Sequence, residues 1–315
     1  MALRHITKIS DLSRAEITSI LSLAIDMKAN QSDYHDVLKR KTLLMLFEKP
    51  SLRTRVSLET GMTQMGGHAI AYMTGDSPIG KKETYEDTGA VLSRMVDAVT
   101  ARVNNRGQID GLAANSTIPI VNALDDFAHP MQMLADLQTI AEKKGSLDLS
   151  GVSLAYAGDA CNNVTYDLMR AGIIMGMDVR VTAPPTAEFL PEADALAECA
   201  ELESMAGAGT ARVFESAEEA VAGADVVYTD SWMSYGIAGE AAAKRLAALQ
   251  PYQVTSDLMS HASPDAYFMN CLPAMRGEEQ TAEVIDGPQS IVFDQAENRL
   301  HAQKALLKKL ILREL

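Results

Sequence analysis

No apolar run in this chain approaches the roughly 18 to 20 uncharged residues that a membrane helix needs. Its first residues, Met-Ala-Leu-Arg-His-Ile, lack the apolar stretch and cleavage site of a signal peptide. Together these absences predict a cytoplasmic protein without a membrane partner. Cysteine is scarce: Cys161, Cys199 and Cys271 are odd in number, and their spacings fit neither a disulfide framework nor a zinc site, which agrees with a reducing compartment. Positive charge is also short, with 28 Lys and Arg against 42 Asp and Glu and a formal net charge of −14. A surface of that sign repels nucleic acid and anionic lipid, so any small anion that binds needs positive charge gathered in one place. Phosphate fingerprints built on glycine are missing as well. No Gly-x-x-x-x-Gly-Lys-Ser/Thr occurs, and Gly207 and Gly209 lack a third glycine and a preceding strand. The chain holds neither an internal repeat nor a low-complexity segment.

What is present is an ordinary globular composition, 47% hydrophobic and 22% charged over 315 residues, enough for two domains with substantial cores. Short apolar runs alternate with helical patterns: 42–47, then a helix after Ser51; 69–73, then 85–93; 98–103, then 119–123. This rhythm predicts a parallel sheet with crossover helices. Residues 130–143 have helical spacing and lead through Lys144 and Gly145 to Gly151, where the alternation restarts, so the domain boundary belongs here. Further apolar runs follow at 152–157, 179–182, 226–228, 267–269 and 291–293, mostly separated by alanine-rich helical stretches, and an amphipathic helix over about 299–312 closes the chain.

The most informative run is Phe47-Glu48-Lys49-Pro50-Ser51-Leu52-Arg53-Thr54-Arg55, directly behind an apolar strand. Two arginines, two hydroxyls and a helix start suit a phosphate, because helix N-terminal N–H groups lack intrahelical partners and guanidinium groups add forked donors. Five further clusters fall where loops should leave strand ends. Arg102 follows 98–101. His129 and Gln132 stand one turn apart at a helix start, a pair able to polarise a carbonyl oxygen. Gly158 to Asn163 follow a buried strand, and either Asn162 or Asn163 is expected to serve simply as a helix N-cap. Asp230 to Gly236 offer a carboxylate and a hydroxyl for an ammonium group, or a capping loop around the lone Trp232. Asn270-Cys271-Leu272-Pro273 end another strand, where Cys271 is either reactive or an inert buried thiol.

In their order and spacing these segments resemble the aspartate/ornithine carbamoyltransferase family nearly end to end, and its ornithine-type branch in particular. The 47–55 run is similar to the family's carbamoyl-phosphate motif, His129-Pro-Met-Gln132 with Ala135-Asp136 to its carbonyl-binding motif, and Asp230 to Gly236 to the Asp-x-x-x-Ser-Met-Gly loop. Cys271-Leu-Pro, Arg276-Gly-Glu-Glu and Ala296-Glu-Asn-Arg299-Leu-His-Ala-Gln-Lys304-Ala complete the likeness. The resemblance implies transfer of a carbamoyl group from carbamoyl phosphate to the side-chain amine of L-ornithine, with no metal or organic cofactor. It implies that Ser51, Leu52 through its backbone, Arg53, Thr54 and Arg102 hold the phosphate. His129, Gln132, Arg102, Arg299 and the Cys271–Leu272 carbonyl region would position the carbamoyl end. Asp230 and Ser234 would take the α-ammonium of ornithine, Asn163 and the backbone of Tyr235 its α-carboxylate, with Cys271 beside the reacting amine. Arg102, His129, Cys271 and Arg299 are then the catalytic set. The expected fold is α/β, with two doubly wound parallel-sheet domains: residues 1–148 for carbamoyl phosphate, 149–294 for the amino acid, and 295–315 as a helix returning to the first domain. A homotrimer is implied by the likeness alone.

Four positions depart from the family pattern. Leu52 replaces a threonine, Tyr235 replaces the methionine of Ser-Met-Gly, and Asn270 replaces the histidine of His-Cys-Leu-Pro, removing a titratable group. In the 76–83 segment Pro78 falls near the usual glutamine, and Lys81-Lys82 resembles the aspartate-type loop, which makes Lys82 a candidate for phosphate binding in a neighbouring subunit. Aspartate as substrate is disfavoured because Asp230 would repel its second carboxylate. The alternatives are carbamoylation of putrescine or an N-acylated ornithine, and a non-catalytic family member.

Overall fold

The computed structural model describes residues 3–75, 77–233 and 239–315. They divide into two units, Met1–Leu147 with Glu297–Leu315, and Asp148–Ala296. In the first unit the elements run α1 (Arg14–Ala29), β1 (Thr42–Phe47), α2 (Leu52–Gln64), β2 (His68–Met73), α3 (Tyr85–Leu92), β3 (Ala98–Arg102), α4 (Arg106–Ala114), β4 (Ile120–Leu124) and α5 (Pro130–Lys144). The four strands are all parallel, in the order β2-β1-β3-β4. Strands β1, β3 and β4 read as nearly continuous apolar runs because helices cover both faces of the sheet. Their Leu44, Leu46, Val99, Ala101 and Ile120 join Ile109 and Leu112 of α4 in one core cluster. Each large side chain buried there contributes about 1.5–3 kcal/mol.

The second unit runs β5 (Ser153–Ala157), α6 (Asn163–Met175), β6 (Asp178–Thr182), α7 (Ala193–Glu203), β7 (Thr210–Phe214), α8 (Ala217–Val221), β8 (Val226–Thr229), α9 (Gly239–Leu249), α10 (Ser256–Ser260), β9 (Tyr267–Asn270) and α11 (Ala282–Ile285). Its five parallel strands are ordered β7-β6-β5-β8-β9. Both sheets therefore have the doubly wound order expected.

The last helix, α12 (Val292–Ile311), packs on the first unit along Ala302, Ala305, Leu306, Leu307 and Leu310, all buried. Asn298 locks it to α5 and α1: its amide nitrogen donates to Thr139 Oγ1 at 2.9 Å and its oxygen accepts from Lys28 Nζ at 2.9 Å. Lys304, almost fully buried, crosses to α2, where Nζ donates to Gln64 Oε1 at 2.9 Å. Gly61 makes that approach possible, since a Cβ there would stand 3.0 Å from Lys304 Cγ.

Three segments differ from the sequence expectation. Residues 119–123, expected to be helical, fall on strand β4 (Ile120–Leu124), and the crossover before it is α4, whose Gly107 and Gly111 dilute the helical pattern. Strand β7 was not anticipated. It is an edge strand with its middle residues exposed, so it carries no apolar run. Residues 291–293 are not a strand but the entry to α12, which begins seven residues earlier than expected; Ile291 and Val292 are buried at that entry.

Candidate active site

In open α/β sheets, ligands bind outside the carboxyl ends of the strands where the strand order reverses. In the first sheet that point lies between β1 and β3, whose last residues Phe47 and Arg102 stand in register. In the second it lies between β5 and β8, where Tyr156 pairs with Tyr228. The candidate residues gather at these two places.

In the first unit, β1 feeds through Glu48, Lys49 and Pro50 into α2, with Ser51 as an extended N-cap. The Ser51 hydroxyl makes no cap bond and the first turn holds no acidic side chain, so the N-terminal N–H groups keep their positive potential. Leu52 turns its side chain to solvent, 74% exposed, and only its backbone is available inward. Arg55 is tied to Glu59 at 2.8 Å one turn along, whereas Arg53, half-buried, makes no side-chain bond among the described residues. Thr54 is buried, and its Oγ1 accepts from Arg299 Nη2 at 3.2 Å. Arg299 Nη1 also donates to Gln132 Oε1, and Gln132 Nε2 donates to Asp136 Oδ1 at 2.7 Å. Helices α2, α5 and α12 thus share one hydrogen-bonded cluster.

His129 sits at the N-cap of α5, followed by Pro130 in the first turn. Asp125 shapes the turn before it, accepting from the N–H groups of Phe127 at 2.8 Å and Ala128 at 2.7 Å. Burial holds the His129 pKa well below the ordinary 6.5, and the positive charges of Arg299 and then Arg102 push it the same way. The ring is neutral at neutral pH, so it can donate one hydrogen bond without carrying charge. Glu48 anchors the start of the loop between β1 and α2: Oε1 accepts from Tyr85 Oη at 2.8 Å and Gln108 Nε2 at 2.7 Å, and Oε2 from Asn104 N at 2.8 Å. Burial and this carboxylate push the Tyr85 phenol up to about 12, so it remains a donor.

In the second unit, the β5 end turns at Gly158, whose φ of +135° suits only glycine. A Cβ there would meet Trp232 Nε1 at 2.7 Å. Asn162 is the N-cap of α6, accepting from Thr165 N at 2.9 Å, and Asn163, half-exposed, opens the helix. Asp159 pairs with Arg245 of α9, and Arg245 Nε donates to Trp232 O at 2.7 Å, bracing the β8 loop. At the end of β9, Cys271 Sγ lies 3.1 Å from Asp230 Oδ1, which also accepts from Ser231 N at 2.8 Å. Asn270 is fully buried. Its Oδ1 accepts from Leu272 N at 2.8 Å, its Nδ2 donates to Gln280 Oε1 at 2.9 Å, and its own N–H donates to Gln295 Oε1 at 3.0 Å. This side chain shapes the backbone at Leu272, which has φ +57° and precedes a cis peptide to Pro273.

The surroundings of Asp230 are strongly acidic. Asp159 is pushed up to about 6 by burial, opposed by Arg245, with the Asp230 charge raising it further. Glu279 is pushed up to about 7, again mainly by burial and partly by Asp230. Such a place favours a cation.

Of the expected residues, Thr54 and Gln132 are each bonded to Arg299, and the charges of Arg299 and Arg102 both act on His129. Ser51, Leu52 and Arg53 occupy the adjoining helix start, while Cys271, Leu272 and Asp230 meet in the second unit. Ser234 and Tyr235 lie outside the described residues. Lys82 is exposed in a turn where its N–H donates to Pro78 O at 2.8 Å. Sequence reasoning gave no role to Glu48, Asp159, Arg245 or Gln303. Three of these, Glu48, Asp159 and Gln303, lay inside quoted segments, but each depends on a partner tens to hundreds of residues distant.

The chain matches two regions of one family: residues 4–142 match the aspartate/ornithine carbamoyltransferase carbamoyl-P binding domain, and residues 150–310 the Asp/Orn binding domain. It is 46% identical to an ornithine carbamoyltransferase of Parafrankia sp. over 99% of this chain and 97% of that one. It is also 46% identical to the anabolic ornithine carbamoyltransferase of Pyrococcus furiosus, over 98% and 96%. Among solved structures, ornithine transcarbamoylase from Giardia lamblia superposes with a TM-score of 0.91 at 44% identity, covering 99% of each chain.

Proposed function

The chain belongs to the aspartate/ornithine carbamoyltransferase family, and from that premise we propose that it transfers the carbamoyl group of carbamoyl phosphate to the side-chain amine of L-ornithine, giving L-citrulline and phosphate. The observation that carries this reading is the cluster in which Arg299 joins Thr54 of the α2 first turn to Gln132 of α5, beside a neutral His129. It couples a phosphate-holding helix start to donors suited to a carbonyl oxygen.

In this reading Ser51, Arg53, Thr54, Arg102 and the Leu52 N–H hold the phosphate. Their bonds strengthen as negative charge gathers on the leaving group, which lowers the barrier in the transition state specifically. The carbonyl oxygen becomes anionic when the amine adds, and Arg102, Arg299 and the neutral imidazole of His129 donate to it. Gln132 would hold the carbamoyl nitrogen. Asp230 and Ser234 receive the α-ammonium of ornithine, and Asn163 with the Tyr235 N–H receives the α-carboxylate. The Cys271 thiol, held by Asp230, orients the reacting amine rather than attacking. That amine attacks as the free base, so its proton must leave first. Holding both substrates in register supplies much of the rate.

A homotrimer belongs to the same reading. Supporting self-association, edge strand β2 exposes Ile70, Tyr72 and Met73, and α2 exposes Leu52 and Val56. Lys82 is assigned a supporting phosphate contact across subunits. Three free thiols suit a cytoplasmic setting.

The test incubates purified protein with carbamoyl phosphate and, separately, L-ornithine, putrescine, N-acetyl-L-ornithine and L-aspartate, following ureido product and phosphate, with Arg53→Ala as control. Citrulline from ornithine alone, lost in the control, is expected. Product from another amine moves the specificity, and no product from any amine overturns the enzymatic reading.

A further inference from the structure

We propose that Gln303 is a positioning residue that holds the Arg299 guanidinium at a fixed spacing from the first turn of α2, an inference that rests on the carbamoyl-transfer reading. Gln303 lies one helical turn beyond Arg299 on α12 and is 1% exposed. Its amide orientation follows from its neighbours. The single Ser57 hydroxyl proton goes to Arg53 O at 2.7 Å, so towards Gln303 that oxygen accepts. Arg299 can only donate. The Gln303 nitrogen therefore donates to Ser57 Oγ at 2.8 Å, and its oxygen accepts from both Nε and Nη2 of Arg299 at 3.1 Å.

The result is a continuous relay. It runs from the backbone carbonyl of Arg53, in the phosphate-holding turn, through Ser57 and Gln303 to Arg299, and on through Nη1 to Gln132. Thr54 also meets the guanidinium, but through one oxygen and one nitrogen. Gln303 accepts from two guanidinium nitrogens and also reaches back to Ser57 of α2. Accepting two bonds in the plane of the guanidinium fixes both its direction and its rotation, which one bond does not. Since Arg299 donates to charge that develops during the reaction, losing this support should lower kcat more than it raises the KM for carbamoyl phosphate.

The experiment measures steady-state kinetics of the full-length protein with carbamoyl phosphate and L-ornithine for wild type, Gln303→Met, Gln303→Glu, Arg299→Lys and the Gln303→Met/Arg299→Lys double variant. Circular dichroism verifies folding, and Gln303→Leu serves if Gln303→Met does not fold. Charge-assisted hydrogen bonds set the scale: Gln303→Met should lower kcat about 10- to 100-fold, with KM for carbamoyl phosphate changed less than about threefold. Gln303→Glu, whose carboxylate accepts from the same two nitrogens and from the Ser57 hydroxyl once its proton turns from Arg53 O towards position 303, should recover kcat to within about threefold of wild type. In the Arg299→Lys background, Gln303→Met should cost less than about twofold, because the group it positions is gone. An unchanged kcat for Gln303→Met overturns the inference alone. So does an undiminished loss in the Arg299→Lys background, or a Gln303→Glu variant no better than Gln303→Met. A wild type inactive with these substrates overturns the functional reading and the inference with it.

Discussion

Replacing His129 with glutamine should remove part of the protein's sensitivity to acid. The ring is buried, and burial with the Arg299 and Arg102 charges holds its pKa well below 6.5. In the unfolded chain this histidine takes up a proton near its ordinary value, whereas the folded chain leaves it neutral. Protons therefore favour unfolding as pH falls below about 6.5, and the stability is regained as pH rises. With the folded pKa below the range tested, one such group costs about 1.4 kcal/mol between about pH 7.5 and about pH 5.5, a tenfold change in the unfolding constant. Other groups move too. His5 and His301 are lowered, chiefly by burial, while Asp125, Asp159 and Glu279 are raised by burial and act in the opposite direction. The difference between wild type and His129→Gln cancels these common contributions. Urea unfolding at fixed protein concentration, followed by circular dichroism at both pH values, should show the gap between the two proteins shrinking by about 1.4 kcal/mol at the lower pH. A gap of equal size at both would refute the neutral, buried imidazole, because it would mean that the folded and unfolded chains bind this proton alike.

Three further outcomes follow from the second unit. Gly158→Ala forces a Cβ into a left-handed backbone and against Trp232, so it should cost about 1–3 kcal/mol in thermal stability and shift the emission of the lone tryptophan. Asn270→Ala leaves the Leu272 N–H and Gln280 without their partner and should cost about 1–3 kcal/mol by urea unfolding. Arg245→Met strands a buried Asp159 carboxylate and should cost about 3 kcal/mol near neutral pH by denaturant unfolding. That loss should ease at acidic pH, where Asp159, already pushed up to about 6, is protonated.

Most strand ends were legible because a buried parallel strand must be apolar and the loop behind it must be polar, as with 42–47 followed by Ser51 or 152–157 followed by Gly158. Edge strand β7 escaped because its exposed residues, Arg212 and Val213, free it from that requirement. The 291–293 run misled for the opposite reason: three apolar residues in a row are equally a buried helix entry, and no local signal separates the two. Within the site, residues were visible where chemistry is carried by a short motif. Gln303 and Glu48 were not, because their roles depend on partners brought together only by folding, such as Ser57, 246 positions from Gln303. Asn270 shows the same limit. As a departure from a histidine it read as the loss of a titratable group, whereas its three hydrogen bonds make it a support for the backbone at Leu272.

The placement of Arg299 has a consequence for how the protein is made. The first unit is closed by Glu297–Leu315, so a ribosome that has finished residues 1–147 must still translate about 150 more before the helix that fills its core exists. At about 5–20 residues per second, that wait is about 8–30 s. Through this interval the sheet of the first unit lacks the leucines and the arginine of α12, while the second unit, contiguous in sequence, can complete itself. Birth order is thus reversed in maturation: the half synthesised first is the last to become competent, and stalling or truncation over the final residues disables a site whose other first-unit groups were synthesised in the chain's first half.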